Sequence, residues 1–267
     1  MSDEPLLAVQ DIEVVYKRVI RALRGVSFTV AKGQTVAILG ANGAGKTTTL
    51  RAISGFIGLD AARVTRGSIR FKGEPLENRL PHHCASVGVV IVPERDKVFP
   101  NLTVVENLAV PPSRLSAAER RRVEALIFQI FPALAERRSS EAGLLSGGER
   151  QMLGIGAKLV AGPELLLIDE MSLGLAPVIV QDLMSRLLQI KKEVGLSLLV
   201  VEQNAMIALQ IADYAYVLEN GEIALAGDGP SMRANPHIEA YYLGGGDGTR
   251  RSYRDARAKR LAQPHHG

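Results

Sequence analysis

The sequence predicts an α/β protein with a mostly parallel sheet, and three observations carry that expectation. The stretch Gly40-Ala41-Asn42-Gly43-Ala44-Gly45-Lys46-Thr47 fits the pattern G-x-x-x-x-G-K-[ST], with an apolar strand-like run before it (36–39) and a helical stretch after it (48–56). Two more unbroken apolar runs, 87–92 and 165–168, read as strands buried on both faces, as parallel strands are. Between them the pattern changes to a helical period, which predicts a helical insertion in an α/β core.

The glycine-rich stretch suits phosphate. Gly40, Gly43 and Gly45 permit positive φ and a close backbone approach, so N–H groups can converge on phosphate oxygens at the positive end of the following helix. Ala41, Asn42, Ala44 and Thr48 complete the cradle. Lys46 adds a point charge for the β- and γ-phosphates, and Thr47 offers a hydroxyl to Mg²⁺. A turn matching by accident is the plain alternative. Four fixed positions recur by chance in roughly 1% of chains this long, and the strand and helix flanks argue against it.

Composition sets the class. The chain has 267 residues, 46% apolar and 22% charged, as expected of a globular protein with one large or two small domains. The acidic start lacks signal-peptide character, and no apolar run approaches the ~20 residues needed to cross a bilayer. A cytosolic, non-spanning chain is expected. Its single cysteine, Cys84, excludes an internal disulfide, and His82-His83-Cys84 lacks the second ligand cluster of a metal site. The net charge of +4 comes from the end of the chain. Arg250, Arg251, Arg254, Arg257, Lys259 and Arg260 face only Asp247 and Asp255 there, so the rest is neutral and no nucleic-acid partner is expected. Residues 245–267 read as a basic, flexible, solvated tail, with contact to an anionic membrane as the functional alternative.

In chain order, 6–15 and 23–30 read as strands of an antiparallel flap, with Tyr16 just after the first. Residues 67–73 add a short strand, and 87–92 a buried one stopped by Pro93, just before Glu94. From 96 to 162 the pattern is helical, with Thr103/Glu106 and Ser116/Glu119 at capping-box spacing. Val123, Leu126, Ile127, Ile130 and Phe131 form one helix face, closed by Pro132. Then comes Leu145-Ser146-Gly147-Gly148-Glu149-Arg150-Gln151. Two glycines after the Ser146 cap leave a helix end that an anion can approach closely. That helix should stop at Gly162-Pro163.

The run 165–168 ends in Asp169-Glu170. Beside a phosphate loop, the first acid of such a pair orders Mg²⁺ and the second can take a proton from the attacking water; two solvated loop acids are the plain alternative. Pro177 starts a helix ended by Gly195. A strand at 196–201 runs into Glu202-Gln203-Asn204, and Asn220-Gly221 signals a type I′ hairpin between 214–218 and 222–226.

These motifs together, over about residues 6–244, resemble an ATP-binding subunit of ABC transporters. Val92-Pro93-Glu94, Ser172-Leu173-Gly174-Leu175-Ala176-Pro177 and Val201-Glu202-Gln203-Asn204 are similar to the LivF-like branch, which serves branched-chain amino-acid importers. The resemblance implies a P-loop NTPase fold. Its RecA-like core would span 1–95 and 163–244, with an antiparallel N-terminal β-subdomain and a helical subdomain at 96–162. It implies ATP and Mg²⁺ as cofactors, with Tyr16 stacking on adenine, Lys46 and Thr47 on phosphates and metal, and Glu94 at the metal from the Q-loop position. Asp169 would be the Walker B aspartate, Glu170 the catalytic base and Gln203 the switch residue. Ser146, Gly147 and Gly148 would serve the opposite subunit of a head-to-tail dimer, implied to be a heterodimer.

Transmembrane permease subunits would be direct partners at the cytoplasmic face, and an extracytoplasmic binding protein an indirect one. Four positions depart from the general family pattern: Glu94, Met171, Ala176 and Gln203. All but Met171 are usual in the LivF-like branch. A lipid- or lipopolysaccharide-extracting ATPase is the alternative within the family, and Gln203 in place of histidine argues against it. An ABC-type ATPase acting on DNA would need sustained heptads, which are absent.

Overall fold

The computed structural model describes residues 4–95, 97–235 and 238. Two antiparallel strands, β1 (Leu7–Tyr16) and β2 (Ile20–Val30), precede β3 (Thr35–Leu39). The glycine-rich loop leads into α1 (Lys46–Ser54), followed by β4 (Ala62–Phe71), β5 (Glu74–Pro75), α2 (Pro81–Val87) and β6 (Val89–Val92). Four helices come next: α3 (Val104–Ala109), α4 (Ala117–Ile130), α5 (Pro132–Glu136) and α6 (Gly147–Leu159). The chain then runs through β7 (Leu165–Asp169), α7 (Pro177–Val194), β8 (Ser197–Glu202), α8 (Ala205–Ala208), β9 (Tyr214–Glu219), β10 (Glu222–Asp228) and α9 (Gly229–Arg233).

The strands form two sheets, β2-β1-β4-β5 and β10-β9-β3-β8-β7-β6. The first is antiparallel; in the second only the β9–β10 hairpin departs from parallel pairing. Register follows from the apolar runs. Along β7, Leu165 and Leu167 pack with α1 and the antiparallel sheet, while Leu166 and Ile168 pack with α4, α6 and α7. Both faces of the parallel strands are thus buried, which is why these runs do not alternate apolar with polar. Each fully buried Leu or Ile contributes roughly 1.5–3 kcal/mol. Because Leu39 pairs with Glu202 and Asp169 with Val201, the carboxyl ends of β3, β7 and β8 lie level. Ligands of open α/β sheets bind at such an edge.

Several elements differ from the sequence reading. The run 87–92 divides at Gly88, whose φ of 108° ends α2; its N–H reaches the Cys84 and Ala85 carbonyls. That positive φ favours glycine, and a Cβ there would also displace the Arg114 guanidinium, whose nitrogen would lie 2.4 Å away. The 67–73 strand is the second half of the longer β4, and α1 starts at Lys46 because Gly45 caps it in the left-handed conformation. Pro132 opens α5 besides closing α4, and α6 stops at Leu159, short of Gly162. The expected tail at 245–267 lies outside the described residues.

Candidate nucleotide site

The loop after β3 is shaped from three sides. Gly45 (φ 108°) has no room for a side chain, since a Cβ would meet Leu23 Cδ2 at 2.6 Å; at Gly40 a Cβ would meet the Leu218 carbonyl at 2.6 Å. Within the loop the Ala44 N–H donates to the Ala41 carbonyl at 3.1 Å. From outside, the Gly221 N–H in the β9–β10 turn donates to the Ala44 carbonyl at 3.0 Å, and the Gly221 carbonyl accepts from Arg24 N of β2 at 2.8 Å. Asn220 and Gly221 both have positive φ (50° and 81°), as a type I′ turn requires.

Around this loop the predicted residues converge. Lys46, 4% exposed, sends its Nζ to Glu170 Oε1 at 3.1 Å and to the Ala41 carbonyl at 3.3 Å. The Thr47 hydroxyl donates to Asp169 Oδ1 at 3.1 Å. The Tyr16 hydroxyl meets that of Thr48 at 3.2 Å, tying the end of β1 to the first turn of α1. Burial pushes the Asp169 carboxyl up to about 6; Thr47 opposes the shift, and the charges of Glu170 and Glu94 add to it. Glu94 is half-buried and pairs with Arg95 at 3.2 Å. Gln203 follows β8 as an exposed side chain, and among the described residues no hydrogen bond ties it to this cluster.

The signature stretch makes its own local contacts. Ser146 caps α6, accepting from Glu149 N at 3.3 Å while Glu149 Oε2 accepts from Ser146 N at 2.7 Å. Added Cβ atoms at Gly147 and Gly148 would meet Leu175 and Ile179 at 3.4 and 2.9 Å. Among the described residues no hydrogen bond joins Ser146, Gly147 or Gly148 to the glycine-rich loop of the same chain.

Sequence reasoning missed two further parts. Glu202 is buried and accepts twice from Ser172, and burial raises its carboxyl while those hydrogen bonds lower it. The signal was present, since an acid ends an apolar strand here as Asp169 ends β7. Lys97 Nζ reaches Gln151 Oε1 on α6, and burial lowers its pKa against the pull of the Glu94, Asp169 and Glu202 charges. No spacing rule marks that pair.

A family model described as ABC transporter matches residues 23–172. The chain belongs to the ABC transporter family. Like other ATPases of this family, it binds nucleotide and hydrolyses ATP to drive transport. The high-affinity branched-chain amino acid transport ATP-binding protein BraG of Pseudomonas aeruginosa is 41% identical, over 90% of this chain and all of that protein. The probable branched-chain amino acid transport ATP-binding protein LivF of Archaeoglobus fulgidus is 32% identical, over 90% and 99%. The ABC fold also matches a crystal structure of the ADP conformation of an ATP-binding cassette of an ABC transporter. There the TM-score is 0.77 at 27% identity, over 90% of this chain and 99% of that one.

Proposed function

We propose that this ABC ATPase powers import of branched-chain or related hydrophobic amino acids; branched-chain amino acid transport is what the names of BraG and LivF state. The observation that carries the site assignment is the meeting of Lys46 with Glu170 and of Thr47 with Asp169. A buried cation and a half-buried hydroxyl facing two carboxylates at the carboxyl edge of a parallel sheet form a receptor for a metal–triphosphate. The donors fit Mg²⁺, being hard oxygens. Thr47 and Asp169 would hold the ion, with Glu94 nearby, and phosphate oxygens and water would fill its other positions, since among the described residues no cluster of three His, Cys, Asp or Glu is placed to hold a metal. When bound, it would offset the charge on the β- and γ-phosphates.

The chain's own residues do the rest. N–H groups of residues 40–48 cradle the phosphates, Lys46 balances their charge, and Tyr16 holds the adenine. Glu170 accepts the proton of the attacking water once ATP takes Lys46, and Gln203 donates a neutral hydrogen bond to the γ-phosphate. Ser146, Gly147 and Gly148 meet the nucleotide of a second ATPase subunit in a head-to-tail heterodimer. The lack of any hydrogen bond from them to this chain's own loop, among the described residues, supports that reading. The working unit sits on the cytoplasmic face against two permease subunits, fed by an extracytoplasmic binding protein. No described helix is long and apolar enough to cross the membrane itself. Residues 1–95 and 163–244 make the catalytic core, and 96–162 the helical subdomain. In the assembled transporter, Glu170→Gln should keep ATP binding and lower turnover roughly 10²–10⁴-fold. Unchanged turnover would remove Glu170 from its role. Uptake of labelled leucine by vesicles carrying the transporter, with a polar amino acid as competitor, tests the cargo class.

A further inference from the structure

The reading of Glu170 as base leaves open what aims it. Its φ is 45°, a left-handed conformation that a residue with a Cβ adopts only under constraint. Three successive residues of the turn after β7 are held. The Glu170 N–H donates to the Val201 carbonyl at 3.0 Å. The Met171 side chain is fully buried in the core cluster with α6 and α7. Ser172 donates its N–H to Glu202 Oε1 at 3.0 Å and its hydroxyl to Glu202 Oε2 at 2.7 Å.

Glu202 is 1% exposed and faces the like charge of Glu170. A carboxylate in that place is costly for stability alone, since burial and a neighbouring acid both disfavour its charge. What it supplies is a two-atom grip on one residue, which no hydrophobic side chain can give. We propose that Glu202 is a positioning residue for ATP hydrolysis. By gripping Ser172 it fixes the turn that points Glu170 at Lys46 and the phosphate loop. The same grip sets the start of the 172–176 loop, whose Leu175 abuts Gly147.

The proposal rests on Glu170 being the base, and the test separates the two. Steady-state hydrolysis is measured in the assembled transporter carrying the full chain, with thermal unfolding of each variant. Glu202→Met, which removes both acceptors at similar volume, should lower kcat about tenfold or more while KM for MgATP moves less than about twofold. Glu202→Gln, which keeps one acceptor and gains a donor for the Ser172 hydroxyl, should recover most of the rate. In a Glu170→Gln background, adding Glu202→Met should cost less than about twofold, because residues acting as one unit are not additive. Wild-type kcat in Glu202→Met, a loss that multiplies with Glu170→Gln, or a raised KM at constant kcat would each overturn the proposal. If Glu202→Met fails to fold, Ser172→Ala decides, with a kcat about threefold down at unchanged melting temperature expected and wild-type kcat overturning the proposal. A Glu170→Gln protein with full turnover defeats the underlying assignment instead, whatever Glu202 does.

Discussion

At the scale of single residues, Lys46 spans two roles. Buried against Glu170 and the Ala41 carbonyl, it is held where a γ-phosphate would take over both contacts. Lys46→Ala should therefore weaken nucleotide binding itself, by about 1.5–3 kcal/mol for each charge-assisted hydrogen bond lost. A titration with a fluorescent ATP analogue showing wild-type affinity would take Lys46 out of the site. Lys46, Thr47, Asp169 and Glu170 were legible because the loop pattern fixes two of them and an acid pair ending an apolar run marks the others. Ser172 and Glu202 were not legible as a pair, although both residues are plain in the sequence. Thirty positions separate them, and only the β7–β8 register brings their ends level.

At the scale of elements, the capping boxes were readable before any coordinates, and they carry a pH signature. The Glu119 carboxylate accepts from the Ser116 hydroxyl and N–H, which hold its pKa below the usual carboxylate range. Glu106 is held the same way at Thr103. Both pKa values are lower folded than unfolded, so the stability they contribute is present above the unfolded value of about 4.3 and is lost as pH falls through the folded one. Melting temperature should drop below about pH 4.5, and Glu119→Gln should flatten that drop. An unchanged slope would show that the box does not persist in solution. Strand and helix boundaries were less legible than caps. The 87–92 run looked continuous because glycine passes in an apolar strand pattern, and only the left-handed φ of Gly88 and its N–H bond to the Cys84 and Ala85 carbonyls show that it ends a helix.

At the scale of the molecule, Phe99 decides between core and contact. It is 56% exposed, while its backbone is fixed independently, the N–H donating to Asn107 Oδ1 at 2.7 Å. Phe99→Ala should leave the melting temperature of the chain within about a degree, since exposed substitutions cost little, and should lower transport per ATP hydrolysed if the permease docks there. Loss of stability would return the ring to the core. Asymmetry is the second expectation at this scale. Gln203 is a neutral donor, and hydrogen bonds to neutral groups are roughly half as strong as charge-assisted ones. In the proposed heterodimer, neutralising Glu170 should then cost less turnover than neutralising the partner's catalytic acid. The reverse order would make Gln203 an adequate switch.

The Asn220–Gly221 turn bears on how the molecule is made. It belongs to a hairpin near the end of the described chain, yet its N–H braces a loop translated some 180 residues earlier. β9 likewise pairs with β3, the strand that aims that loop. On the ribosome the phosphate loop is thus synthesised long before its brace. Non-local closures of this kind are slow and leave apolar surface uncovered while they wait. A nascent chain halted between Gln203 and Asn220 carries the phosphate loop, Asp169 and Glu170 in its sequence but lacks the contact that shapes the loop. The phosphate loop should therefore take its braced shape only after the β9–β10 turn has been made.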